Sequence, residues 1–106
     1  MVYMVVINWF PGSSADEVAK VYLEERKKYS RDKSLQKVVA ECIRSDEKGL
    51  KTMGIAEVKE GRLQEALKRQ QEILTMYRHI EGYTSKLEVW WNPTEALGMI
   101  GMKAPE

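Results

Sequence analysis

The sequence predicts a single α+β domain over residues 1–106: a four-stranded antiparallel sheet, two helices on one of its faces, and a short helix near the end of the chain. Val2 to Phe10 is an almost unbroken apolar run rich in β-branched and aromatic residues, the pattern of a strand covered on both faces. Two stretches with apolar residues at helical spacing follow Pro11-Gly12 and Gly61. Between them, two strand-like stretches flank the polar loop Ser45-Asp46-Glu47-Lys48-Gly49, which reads as a hairpin.

Taken in order, the first strand ends at Pro11-Gly12. Ser14-Ala15-Asp16-Glu17 then has capping-box spacing, in which the Ser14 hydroxyl accepts from the Glu17 amide and the Glu17 side chain reaches back. Ala15, Val18, Ala19, Tyr22 and Tyr29 form the apolar stripe of the first helix, which fades in Ser30 to Ser34. Leu35 to Arg44 and Leu50 to Val58 are the hairpin strands, and Gly54 and Ala56 leave the second thin on one face, where something bulky approaches closely. The second helix carries Leu63, Ala66, Leu67, Ile73, Leu74, Tyr77 and Ile80 on its stripe and stops at Gly82. Tyr83 to Trp91 is the fourth strand, with Leu87, Val89 and Trp91 on one face and Lys86, Glu88 and Trp90 on the other. Asn92-Pro93-Thr94-Glu95 combines a cap, a proline at the first helical position and a glutamate at the third, opening a short helix through Ile100.

Composition narrows the function classes. Seventeen Lys and Arg against sixteen Asp and Glu leave a net charge of +1, so no global field draws the chain to nucleic acid or to an anionic membrane. No apolar run approaches the ~20 residues of a membrane span, and the apolar N-terminus has neither a preceding basic region nor a small-residue cleavage site. Cys42 is the only cysteine; it closes no internal disulfide, fits a reducing compartment and is expected to be a small buried hydrophobe. A cytoplasmic protein is expected. No phosphate loop, nucleophile elbow or zinc signature is present, and neither a metal site nor a cofactor is expected.

The order strand, helix, strand, strand, helix, strand is the split βαβ arrangement, and right-handed crossovers put the first and third strands at its centre. Large residues of Val2 to Phe10 then point away from the helices and need a lid, for which a second copy of the chain is the simplest candidate. Ala96, Leu97, Met99, Ile100 and Met102 suit such an interface better than water. With this element order, the apolar first strand opening Met1-Val2-Tyr3-Met4 and the strand-then-helix ending at Asn92 to Glu95, the chain resembles the small uncharacterised members of the dimeric α/β-barrel superfamily. The resemblance implies ferredoxin-like βαββαβ subunits pressed sheet to sheet, with small ligands between helices and sheet.

Arg26 falls about 20° from Ala15 on the first helical wheel, and Gln70 lies near the middle of the second stripe. Polar groups under a helix need partners. With Trp9, Tyr22 and Tyr77 they are the candidate ligand-binding residues, lining a cleft for a small apolar or aromatic molecule. The alternative is that Arg26 extends to the rim and Gln70 satisfies a backbone group. No acid, base or nucleophile set converges, so the catalytic residues are unknown, and a non-catalytic interaction or ligand-sensing module stands beside a cofactor-free oxygenase or isomerase. Haem-degrading monooxygenases of the same superfamily use a first-strand asparagine, a sheet tryptophan and a second-helix histidine. Asn8 and His79 match two of these, but residues 50–58 contain no tryptophan. His79 falls about 160° from Leu63, on the outward face, where a histidine in a last helical turn serves as a dipole partner. Trp90 and Trp91, on opposite faces of their strand, read as core and interface residues.

Overall fold

Residues Val2–Phe10 form β1, hydrogen-bonded along both edges in the computed structural model, which describes residues 1–103 and 105. The other strands are β2 (Gln36–Asp46), β3 (Gly49–Val58) and β4 (Thr84–Trp91), in the antiparallel order β2-β3-β1-β4. Helix α1 (Ala15–Lys28) follows β1, α2 (Leu63–Thr75) follows β3, and α3 (Pro93–Met99) follows β4. The fold is therefore α+β, an open four-stranded antiparallel sheet with three helices. No helix among the described residues is long and apolar enough to cross a membrane.

The pleat divides β1 into two sets. Met4 packs with Leu35, Ala56, Val58 and Ala66, with Val2, Leu63 and Leu67 around them, so the even-numbered residues face the helices. Tyr3, Val5, Ile7 and Trp9 face the other way, sharing that surface with Met53 and Ile55 of β3 and Trp90 of β4. A second cluster, Val21, Ile73, Tyr77 and Ile80, joins α1 to α2 and is backed by Val18, Tyr29 and Tyr83. The even-numbered face packs under helical cover and the odd-numbered face adjoins apolar neighbours within the sheet, so the run shows no alternation.

Several local expectations are altered by longer-range contacts. No capping box forms at Ser14: its hydroxyl donates to the Glu81 carbonyl at 2.8 Å, tying a 3-10 turn at Gly12–Ser14 to the loop before β4. Asp16 and Glu17 still place negative charge in the first turn of α1, where the helix dipole favours it. Helix α2 stops at Thr75, whose hydroxyl donates back to the Glu72 carbonyl at 2.6 Å, and the chain runs on in i→i−3 turns through Ile80. Tyr77 and Ile80 are buried nonetheless. The hairpin loop is tighter than expected, since Asp46 pairs with Gly49 across the two residues Glu47 and Lys48, and the Asp46 carboxylate accepts from the Lys48 amide at 2.8 Å.

In β2 the register shifts between Val38 and Ala40, leaving Val39 as a bulge. Beyond it the inward and outward sets exchange, so Cys42 pairs with Met53 on the sheet face away from the helices and is exposed. The expected buried cysteine is thus corrected, because its alternation with Val38 is broken by one inserted residue. At the other end of the sheet Asn92 caps α3 as expected, accepting from the Glu95 amide at 2.8 Å. Its amide group donates to the Met1 carbonyl, while Glu95 pairs with the Met1 ammonium, which fastens α3 to the start of β1.

The radius of gyration is 15.7 Å, against roughly 13 Å for a compact domain of this length. The excess has two sources: β2 extends beyond helical cover, leaving Ile43 63% exposed, and α1 stands off the sheet. Replacing Met4, 2% exposed in the first cluster, by Ala is expected to cost about 2–5 kcal/mol in urea unfolding. Gly49 and Gly54 make a sharper comparison. Gly49 has φ +133° and a Cβ there would press into the Phe10 carbonyl, so Gly49→Ala should destabilise by more than about 1 kcal/mol. A Cβ at Gly54 meets nothing within 4 Å, so Gly54→Ala should be neutral or raise stability by up to about 1 kcal/mol.

Candidate ligand cleft

With α1 joined to α2 by the Val21, Ile73, Tyr77 and Ile80 cluster, a cleft of about 830 Å³ lies between helices and sheet. Its floor is the helix-facing side of β1 and β3, where Val6 pairs with Gly54 and Asn8 with Thr52. Val18, Tyr22 and Arg26 come from α1, and Gln70, Ile73 and Leu74 from α2. Gly54 matters to the shape: with no side chain, it leaves the middle of the floor open.

One end is aromatic. The Phe10 and Tyr83 rings stack at 5.9 Å between centroids with planes 14° apart, and Tyr83 stacks on Tyr77 at 4.9 Å and 13°. The Tyr77 hydroxyl donates to Glu25 Oε1 at 2.6 Å. Burial, then the bond to Glu25 and its negative charge, push the Tyr77 phenol well above the ordinary tyrosine range; burial and the Glu25 charge raise Tyr83 likewise. Both phenols therefore stay neutral and form an apolar wall with polar tips.

The floor holds unpaired acceptors. Asn8 Nδ2 donates to Thr52 Oγ1 at 3.0 Å, but Asn8 Oδ1 and Gln36 Oε1 are buried and have no partner among the described residues. Each such group costs on the order of 1–3 kcal/mol if left unmet, and both line the cleft. A guest bearing a hydroxyl or N–H group would satisfy them.

Tyr22, Arg26, Gln70 and Tyr77 all stand on the cleft wall. Trp9 does not: it belongs to the odd-numbered set of β1 and lies on the far side of the sheet with the Lys51 ammonium 5.2 Å from its ring centre. Its neighbours Asn8 and Phe10 take the inward places, as alternation requires. The sequence reading missed Gln36, Glu25 and Tyr83, and weighed Asn8 only as one of a haem set. Glu25 sits about 80° from Ala15 on the wheel, at the edge of the stripe, and only the Tyr77 contact singles it out. His79 is exposed, outside the cleft and beyond the end of α2, with its Nε2 3.1 Å from Glu17 at the start of α1, so it is not the helix-end dipole partner expected. Trp90 and Trp91 occupy opposite faces and are both exposed in the single chain, at 56% and 47%.

Compared with protein-family models, curated proteins and solved structures, the chain matches none. Fold and cleft together define a small α+β protein with an apolar outer sheet face, on which Trp9, Met53 and Trp90 are exposed, and a cleft between helices and sheet.

The raised phenols set a pH dependence. A tyrosine in the unfolded chain ionises near pH ~10 while Tyr77 and Tyr83 resist, so their stabilisation is complete below pH ~10 and is lost as pH rises above it. Each contributes a slope of up to about 1.4 kcal/mol per pH unit there. Urea midpoints across that range should fall less steeply for Tyr77→Phe than for the parent chain.

Proposed function

We propose that the chain is a ferredoxin-like subunit of the dimeric α/β-barrel kind that binds a small apolar or aromatic molecule between its sheet and its helices. The observation that carries this reading is the cleft itself. Its volume of about 830 Å³ falls within the ~300–1,000 Å³ of small-molecule pockets, and its apolar floor and aromatic end, with polar and charged groups toward the mouth, suit an apolar body with a polar handle. Its partner is a second copy seated on the face that carries Tyr3, Val5, Ile7, Trp9, Met53, Ile55 and Trp90. A soluble monomer rarely leaves so continuous an apolar surface to water. A lone exposed thiol at Cys42 suits a reducing setting, and we place the protein in the cytoplasm.

An enzymatic version, a cofactor-free monooxygenase-like reaction, is favoured by one contact: the Tyr77 hydroxyl donates to the Glu25 carboxylate on the cleft wall, which sets a carboxylate and a phenol side by side there. A haem-type version would need a histidine in the chamber, and His79 stands outside it. Absent turnover, the same cleft serves a ligand-sensing module.

Thermal-shift screening with aromatic compounds should find ligands that stabilise the protein by ~2.7 kcal/mol at a hundred times their dissociation constant. In Gly54→Phe, where a ring enters the open floor, that response should vanish while the circular dichroism spectrum is kept. A response undiminished in this variant would remove the cleft from consideration. In sedimentation equilibrium the chain should run at twice its 12.3 kDa, and Ile7→Lys, on the bare face, should yield folded monomers. A native chain that stays monomeric at high micromolar concentration would end the pairing proposal.

A further inference from the structure

The cleft is chemically lopsided in a way that specifies its guest more closely. Away from the aromatic end its lining is basic: six Arg and Lys side chains against three Asp and Glu, a local excess of three positive charges where the whole chain has +1. Most of these cations are engaged or peripheral. Arg31 reaches the Glu41 carboxylate at 3.2 Å, and Arg69 donates to the Ser30 carbonyl at 2.6 Å with its guanidinium 5.8 Å from the Tyr29 ring centre. Arg26 differs. It is half-buried on the cleft wall and has neither a hydrogen bond nor an ion pair among the described residues. The adjacent carboxylate, Glu25, is turned to the Tyr77 hydroxyl instead. Gln70 of the facing helix lines the same space, and its side chain also lacks a partner among the described residues.

A guanidinium has five donors in a fork that matches a planar acid, and holding it half out of water unpaired is unfavourable. The groups present therefore ask for an anion beside Arg26, while the stacked rings and Val6 ask for an apolar body. Resting on the cleft reading above, we infer that the ligand is a ring-bearing organic acid: its apolar part lies over Gly54 toward Phe10 and Tyr83, and its single anionic group meets Arg26, with the basic mouth drawing it in. A hydroxyl or N–H group between the two ends would meet Asn8 Oδ1. This is a small soluble acid and not a membrane lipid, since the chamber is bounded by helices and sheet.

Two dyes with the same rings separate charge from shape: anilinonaphthalene sulfonate, an anion, and its neutral parent N-phenylnaphthylamine. Fluorescence titration of the full chain should show the sulfonate binding more tightly than the parent, with an affinity that falls as salt is raised. Arg26→Met should weaken the sulfonate about tenfold or more, the loss expected for one charge-assisted hydrogen-bonded pair, leave the neutral dye unchanged, and be partly restored in Arg26→Lys. Gly54→Phe should abolish binding of both. Equal behaviour of the two dyes in Arg26→Met, with Gly54→Phe still blocking both, would overturn the acid specificity and leave the cleft standing. If Gly54→Phe blocked neither, the dyes would sit on the outer sheet face, and the cleft reading would fall together with this one.

Discussion

Everything in this molecule depends on β1 being paired along both edges while its side chains are used on both faces. Nine residues with hardly a polar group cannot form an edge strand without leaving a row of backbone donors and acceptors beside an apolar surface, so they take the centre, between β3 and β4. Once β1 is central, its even-numbered residues become the floor on which α2 and the cleft are built, and its odd-numbered residues form an apolar face turned away from the helices. The cleft floor and the outer sheet face are opposite sides of one strand, one residue apart.

The cleft follows from how unequally the helices bind that floor. Helix α2 is locked down by Ala66 against Met4, Ala56 and Val58, all nearly inaccessible. Helix α1 is held through Val21 and Val18 in the cluster with Ile73, Tyr77 and Ile80, through Glu25 on the Tyr77 hydroxyl and Glu17 on His79, and through the Ser14 tether before it. A helix held along one side only is stable enough to define a wall without filling the space beneath it, and Gly54 keeps that space clear from below. Leaving a chamber open forgoes apolar burial that a closed core would have gained, and leaves Asn8 and Gln36 with unmet acceptors.

Much of this was legible because it is local. The unbroken apolar run placed β1, the polar hairpin and its glycine joined β2 to β3, and Asn92-Pro93-Thr94-Glu95 announced α3 with the cap it forms. Helical periodicity put Tyr22 and Arg26 on one stripe and Gln70 and Tyr77 on the other, and these four share the cleft wall. What could not be read depends on contacts distant in the chain. Ser14 gave up a local cap for the Glu81 carbonyl, Thr75 turned its hydroxyl onto Glu72 and ended α2 early, and the choice of which side of β1 meets the helices, which excludes Trp9 and admits Asn8, has no signature in a strand apolar on both faces. Cys42 was misplaced by a single inserted residue, which no alternation pattern reveals when both neighbours are valine and alanine.

That inserted residue, Val39, has a bearing beyond the position of the thiol. As β2 is the outermost strand and eleven residues long, it offers an extended ribbon of unpaired main-chain groups to any other chain with a free margin. The bulge breaks the even spacing of those groups and twists the ribbon at its middle, and Lys37, Glu41 and Arg44 set charges along it. The irregularity thereby discourages edge-to-edge growth of sheets from molecule to molecule, a safeguard built into the one long strand that has a free margin.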